Sequence, residues 1–219
     1  MNLRQKQKGT IFFLLILMII VIVSIVLIVS LKEDEVGDVL AQGQVVKTLL
    51  VLEKEGEVLS SEILFYYPVS NHGAVINVPG NTGAIFSSIN RVDRIDQIYK
   101  ERGVVDYKNE IEKLIGSSIQ FYIVLPMKSF QIIADRLGGL QVFVPSPVDV
   151  VSEDGQRWLL PSGAIVLDGD KLEVYLNYHI EDEVASNMAE RRQNVNLALL
   201  PAFSRNSSVV FDKKNFAFF

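Results

Sequence analysis

The sequence predicts a single three-layer α/β/α domain with a mixed central sheet, carried behind one N-terminal transmembrane helix. Three observations predict it. Residues Ile11–Leu31, IFFLLILMIIVIVSIVLIVSL, run for 21 positions without a charge, and about 20 apolar residues at a rise of about 1.5 Å span the hydrocarbon core of a bilayer. Beyond them the hydrophobic pattern switches from short β-rich runs to helical spacing and back. The later order of strand, helix and strand implies a crossover and a sheet covered on both faces.

A cleaved signal peptide would carry an apolar region of about 7–15 residues and then small residues at a cleavage site. LKEDEVGD follows here instead. Arg4, Lys6 and Lys8 precede the apolar run, and Glu33, Asp34, Glu35 and Asp38 follow it, so the positive-inside rule keeps residues 1–10 in the cytoplasm. The chain is expected in the cytoplasmic (inner) membrane as a single-pass protein, contacting the lipid bilayer through residues 11–31, with its domain on the extracytoplasmic side. Residues 32–45 read as an acidic linker, 46–205 as the domain and 206–219 as a C-terminal segment. Of 21 Lys and Arg, 18 lie beyond the anchor against 26 Asp and Glu, a formal charge of −8. No nucleic-acid partner is expected, since that requires a basic footprint. Cysteine is absent, which excludes disulfides, thiolate metal sites and a thiol nucleophile.

Along the domain, VVKTLLVLE, EILFYYPV and AVINV read as consecutive strands, the last two forming a hairpin across Ser70–Gly73. RVDRIDQIYKERG places Val92, Ile95, Ile98 and Tyr99 at helical spacing, and YKNEIEKLIG does the same with Ile111, Leu114 and Ile115, each segment closed by a glycine. IQFYIVLPM returns to an apolar strand. SFQIIADRLGG is a capped amphipathic helix ending at Gly138 and Gly139, and LQVFVP is a strand stopped by Pro145. SPVDVVSEDGQRWLLPSG reads as a loop or hairpin, LDGDKLEVYLNY as a short helix, and SNMAERRQNVNLALLPAF as a helix with Ser186 at its N-cap.

A few segments bear on chemistry. NVPGNTGAIF, Asn77–Phe86, is either a tight turn or a loop whose N–H groups face an anion; it lacks the Lys-Ser/Thr pair of a nucleotide P-loop. HIEDE sets Glu181, Asp182 and Glu183 after His179, but with two histidines in the chain no metal site is assigned and the cluster reads as a solvated loop. No Gly-x-Ser-x-Gly elbow supports a catalytic triad, and His72 reads as polar surface in a turn. Arg191 and Arg192 fall in the first turns of the last helix, where basic residues oppose the helix dipole. They hold either a phosphate or carboxylate ligand or a salt bridge to Glu190 or the acidic segment.

Three stretches carry a resemblance. FYIVLPMKSFQIIADRLGGLQVFVP is similar to the strand, helix, Gly-Gly, strand, Pro block of the LytR-CpsA-Psr (LCP) family. LPSGAIVLDGDKLEVYLNY resembles its Leu-x-x-Gly…Leu-Asn/Asp-Gly-x-x-Ala-Leu segment, and ERRQNVNLALL its Arg-Gln helix. With a weaker match from Val46 onward, the likeness covers nearly all of residues 46–200. The resemblance implies an extracytoplasmic phosphotransferase that moves a glycopolymer from polyprenyl pyrophosphate to the cell wall. It further implies an apolar cleft for the lipid, with arginines and Mg²⁺ neutralising the pyrophosphate. The partners it suggests are a polyprenyl phosphate lipid or an envelope glycopolymer. No cofactor is evident in the residues themselves, and Mg²⁺ enters only if the family activity is retained.

The chain departs from the family at the charged positions. The family's Asp-Thr falls on Ser61 and Glu62, and its Ile-Pro-Arg-Asp-Thr on Val78–Thr82, so that Gly80 and Asn81 replace an arginine and an acid. Its Arg-x-Arg falls on Asn177 and His179; in Arg-x-x-Arg-Gln the first arginine is Ala189, and only Arg192 and Gln193 match. Losing one preorganised charge donor costs about 10²–10³ in rate. The expectation is therefore a diverged or non-catalytic module that binds polyprenyl-linked or other envelope ligands. The alternative is an active phosphotransferase with Arg192 catalytic and a rearranged anion site of Arg91, Arg94, Arg191, Arg192 and Gln193. In that reading Arg91 and Arg94, three residues apart, share one helical face; the plainer reading pairs them with Asp93, Asp96 or Glu101. A sensor signalling through the anchor is a third expectation. Family domains usually continue with further helical structure past the point where this sequence stops at NFAFF, so either a truncated copy or a missing C-terminal piece is expected.

Overall fold

The computed structural model describes residues 35–152, 155–178 and 185–206. The expected transmembrane span, His179 with the rest of HIEDE, and the segment after Asn206 lie outside them. Among the described residues no helix is long and apolar enough to cross a membrane. The chain divides at Val45 into two units. The first contributes a single described element, helix α1 (Glu35–Ala41), where the sequence suggested only a linker.

The second unit is built on a four-stranded sheet of order β3-β2-β1-β6. Strands β1 (Val46–Lys54), β2 (Glu57–Tyr67) and β3 (His72–Asn77) form an antiparallel meander, and β6 (Phe121–Pro126) lies parallel to β1. The sheet is mixed, as expected. The β2–β3 hairpin turns through Asn71 at φ 55°, a left-handed conformation that asparagine tolerates. Between β3 and β6 the chain forms a small hairpin, β4 (Gly83–Phe86) with β5 (Arg91–Arg94), and then helices α2 (Ile95–Arg102) and α3 (Val104–Ile115).

Alternation along the strands divides the core in two. Leu49, Val51 and Ile63 pack with Ile95 and Ile98 of α2 and Tyr107 and Ile111 of α3. Leu52, on the other face, joins Phe130 and Ala134 of α4 (Met127–Arg136), Leu172 and Leu176 of α5 (Gly169–Asn177), and Val195 and Leu199 of α6 (Ala185–Arg205). Helices thus cover both faces of the sheet.

Several expectations are corrected. The helix read from Val92 begins only at Ile95: Arg91–Arg94 is a strand in which Val92 pairs with Ile85 and stays exposed. Its spacing to Ile95 imitates a helical period across a strand–helix junction. The crossover expected from β6 through α4 into the same sheet does not form. β7 (Leu140–Val144) pairs antiparallel with β10 (Gly163–Leu167) in a separate two-stranded sheet. LQVFV reads as a continuous apolar run, but only Leu140, Val142 and Val144 are buried while Gln141 and Phe143 are exposed. That alternation suits an antiparallel strand with one wet face, not a strand buried on both. Ser186 lies inside α6, which begins at Ala185, and does not precede it. The segment left open as loop or hairpin is a hairpin of β8 (Val148–Val151) and β9 (Arg157–Leu160).

The stretch DRLGG is a joint of this architecture. Asp135 Oδ1 accepts a hydrogen bond from Gly169 N at 2.7 Å, and Asp168 caps α5 by accepting from Lys171 N at 3.0 Å. Gly139 has φ 90°, and a Cβ there would meet Val166 Cγ1 and lie 3.1 Å from the Leu167 carbonyl oxygen. Gly138 is also left-handed, at φ 78°, but nothing lies within 4 Å of its would-be Cβ. Gly139→Ala is expected to destabilise the domain by about 2–4 kcal/mol and Gly138→Ala by about 1 kcal/mol. Urea denaturation midpoints at unchanged slope check both.

Candidate functional site

A polar cavity of about 700 Å³ opens where the β1–β2 turn, the end of β3, the 79–82 turn and the N-terminal half of α6 meet. It gathers Gly80, Asn81, Arg94, Asn177, Ala189 and Arg192, six of the positions singled out in the sequence. Its cations are Lys54, Arg94 and Arg192, and its carboxylates are Glu55, Glu57 and Asp96. Among the described residues the formal charges of the lining therefore cancel. Lys54 pairs with Glu173 at 2.9 Å, Glu57 with Lys100 at 2.6 Å, and Arg94 with Asp96. Arg192 acts as a clamp on backbone: its Nη1 donates to the Leu59 carbonyl at 2.7 Å and its Nε to the Leu176 carbonyl at 3.3 Å. It joins α6 to β2 and α5.

In NVPGNTGAIF the structure chooses the turn. Thr82 N and Oγ1 both donate to the Pro79 carbonyl, at 2.9 and 2.7 Å. The Gly80 and Thr82 carbonyls accept from Asp96 N at 3.1 Å and Ile95 N at 2.9 Å. The loop thus offers carbonyls to the first N–H groups of α2, which would otherwise lack partners. Gly80 sits close to α2: a Cβ there would lie 3.2 Å from Asp96 Cβ and Oδ2, a contact tight enough that the Asp96 side chain would have to shift.

The remaining predicted residues do not converge. Arg91 and Arg94 lie on β5, where residues three apart face opposite ways; the shared helical face does not exist. Arg91 donates through Nε to Asp93 at 2.8 Å, pairs with Glu101, and lies outside the cavity lining. Arg191 donates to the Tyr178 carbonyl, and its guanidinium carbon is 5.7 and 5.5 Å from the ring centres of Tyr175 and Tyr178. It lines another cavity, beside Pro145 and Pro147. Gln193 is half-buried and lines neither. Ser61 is buried on the α3 side of the sheet, its Oγ 2.7 Å from Tyr107 Oη and donating to the Val78 carbonyl at 3.2 Å.

Glu62 occupies the opposite face from Ser61. It lines an apolar cavity of about 210 Å³ between the sheet and α6, with Leu50, Leu64, Ile123, Leu125 and Leu199 among the walls. Only 1% of Glu62 is exposed. Asn196 Nδ2 donates to Glu62 Oε2 at 2.8 Å and to Ser60 Oγ at 2.7 Å. Ser60 lines the polar cavity while Glu62 and Asn196 line the apolar one, so this trio forms a polar wall between them. Burial pushes the Glu62 carboxyl up from 4.5 to about 7, against the opposing pull of the Asn196 and Asn77 amides. Asn196 and Ser60 were missed in the sequence. The available signal was an asparagine at a buried position of NVNLALL, a polar residue where the helix turns its apolar face inward.

Residues 74–216, more than half of the chain, match the LytR_cpsA_psr family. The chain belongs to the LytR-CpsA-Psr family. Comparison with curated proteins gives no sequence match. Among solved structures, this LCP domain is similar to TagV from B. subtilis, with TM-score 0.66, 16% identity, and coverage of 74% of this chain and 66% of that one. It is also similar to a transcriptional regulator from Enterococcus faecalis, with TM-score 0.64, 19% identity, and coverage of 75% and 60%. YwtF (TagT) of B. subtilis, determined with bound octaprenyl pyrophosphate lipid, matches with TM-score 0.60, 14% identity, and coverage of 73% and 65%. At such identities the likeness is one of fold. This LCP chain spans about 60–66% of the length of those structures.

Because folded Glu62 holds its proton more tightly than an unfolded glutamate would, its contribution is fully present below pH 4.5 and is lost as pH rises through about 7. The wild-type domain is expected to lose about 2–3 kcal/mol relative to Glu62→Gln between pH 4.5 and 8.5. Parallel urea titrations of the two proteins measure that difference.

Proposed function

We propose that this protein is a diverged LCP module of the cell envelope that binds a polyprenyl-linked or related chain lipid without transferring its phosphate. The observation that carries this reading is the charge balance of the polar cavity. A pyrophosphate leaving group needs a surplus of preorganised cations, whereas among the described residues of the lining three cations are matched by three carboxylates. Arg192, the family arginine that survives, is committed to the Leu59 and Leu176 carbonyls. The apolar cavity beneath offers a place for part of a prenyl chain, and the bound lipid of YwtF (TagT) makes that ligand class the natural one to test. The apolar run 11–31 would hold the domain at the outer surface of the cytoplasmic membrane, where such lipids are presented.

The Mg²⁺ implied by the family does not fit the polar cavity as it stands. Glu57 and Asp96 are engaged by Lys100 and Arg94, and among the described residues no three His, Asp or Glu groups come together as a ligand set.

The full chain in detergent is expected to bind a polyprenyl pyrophosphate without Mg²⁺-dependent release of phosphate or pyrophosphate product. Arg192→Ala should leave that result unchanged and lower stability by about 1–3 kcal/mol, because two carbonyls lose a charged donor. Mg²⁺-dependent turnover that disappears in Arg192→Ala would establish the active phosphotransferase instead.

A further inference from the structure

Glu62 is an anomaly in the cavity it lines. Its cross-strand partner Leu50 and its same-face neighbour Leu64 share that cavity, and the alternation of β2 fixes its side chain to this face. Asn196 occupies Oε2, while Oε1 is buried with no partner in hydrogen-bond geometry, the amide of its cross-strand neighbour Asn77 acting on the carboxyl without closing such a bond. A buried carboxyl oxygen left unsatisfied is costly, and a ligand that reached it would remove the cost.

The chemistry of that oxygen restricts the ligand. An ionised carboxylate only accepts hydrogen bonds, while a protonated one also donates. A hydroxyl group donates and accepts, so it satisfies Oε1 in either state. A phosphate or pyrophosphate is anionic: ionised Glu62 repels it, and beside protonated Glu62 its charge would still be buried in a lining that carries no cation among the described residues. A plain hydrocarbon leaves Oε1 unpaired. The cavity, about 210 Å³, has room for about seven water-sized groups at about 30 Å³ each, the terminal part of a chain. Ile123 and Leu200, 51% and 52% exposed, lie on its rim and give the remainder of a chain an apolar exit.

We infer that this cavity binds the hydroxyl end of an apolar chain, a free prenol or similar chain alcohol, with Glu62 Oε1 pairing the hydroxyl and Asn196 holding the carboxyl in place. This rests on the reading that the module binds a chain lipid, and replaces the family's diphosphate head group with an alcohol.

The test uses the full chain in detergent with three ten-carbon probes: geraniol, geranyl pyrophosphate and the hydrocarbon of equal length, their affinities measured by calorimetry. Geraniol is expected to bind at least about tenfold more tightly than geranyl pyrophosphate. Glu62→Leu should weaken geraniol about tenfold or more and leave the hydrocarbon bound as tightly or better, while Glu62→Gln, which still donates and accepts, should stay within about threefold of wild type. Urea denaturation of both variants confirms that they are folded. Tighter binding of the pyrophosphate, or geraniol affinity indifferent to Glu62→Leu, overturns the inference while leaving the chain-lipid reading intact. Geraniol binding only after residues 207–219 are removed overturns it in favour of the chain's own tail as occupant. If none of the three probes binds, with or without that tail, both readings fall.

Discussion

The two-residue alternation of β1 and β2 is the constraint on which the rest of the structure depends. It sends Leu49, Val51, Ser61 and Ile63 to one face and Leu50, Leu52, Ser60 and Glu62 to the other. The first set meets two helices that follow the β4–β5 hairpin, and the second meets the helices of the C-terminal half. Ser61 and Glu62 are neighbours in sequence but live in different chemical environments. One completes a hydrogen-bonded contact with Tyr107, and the other is a carboxyl inside an apolar wall.

The residues that preserve the family resemblance are largely those that hold elements together. Asp135 bonds the N-terminus of α5, Gly139 permits the approach of β10, and Arg192 ties α6 to β2 and α5. These contacts depend on backbone geometry and persist whatever the charge of the polar cavity. Gly80, Asn81, Asn177 and Ala189 all line that cavity, and among them only Gly80 approaches a neighbour closely, at Asp96.

Much of the architecture was legible because it rests on local periodicity. The meander, the Gly-terminated helix α3, the hairpin after Pro147 and the short helix capped at Asp168 each follow from neighbours within a few residues. The misreadings fall where two local patterns overlap or where pairing is remote. Val92 borrowed a helical spacing from Ile95 across a strand end, and β7 resembled a covered strand until its partner β10 proved antiparallel and its outer face wet. At the candidate site the positions were legible and their contacts were not. Arg191 and Arg192, adjacent in sequence, point into different surroundings about a helix, and no spacing rule names the carbonyls they meet.

The sequence by itself determined the family and the α/β pattern, because these depend on residue type and short-range order. Only the tertiary structure decided that Arg94 and Arg192 are already engaged, that Arg91 and Arg191 stand apart, and that Glu62 faces an apolar cavity with one oxygen unmatched. The reason is physical. A side chain carries its charge wherever it stands, but the partners and the dielectric that give the charge its energy can come from segments remote in sequence, as Leu59 does for Arg192 and Asn196 for Glu62.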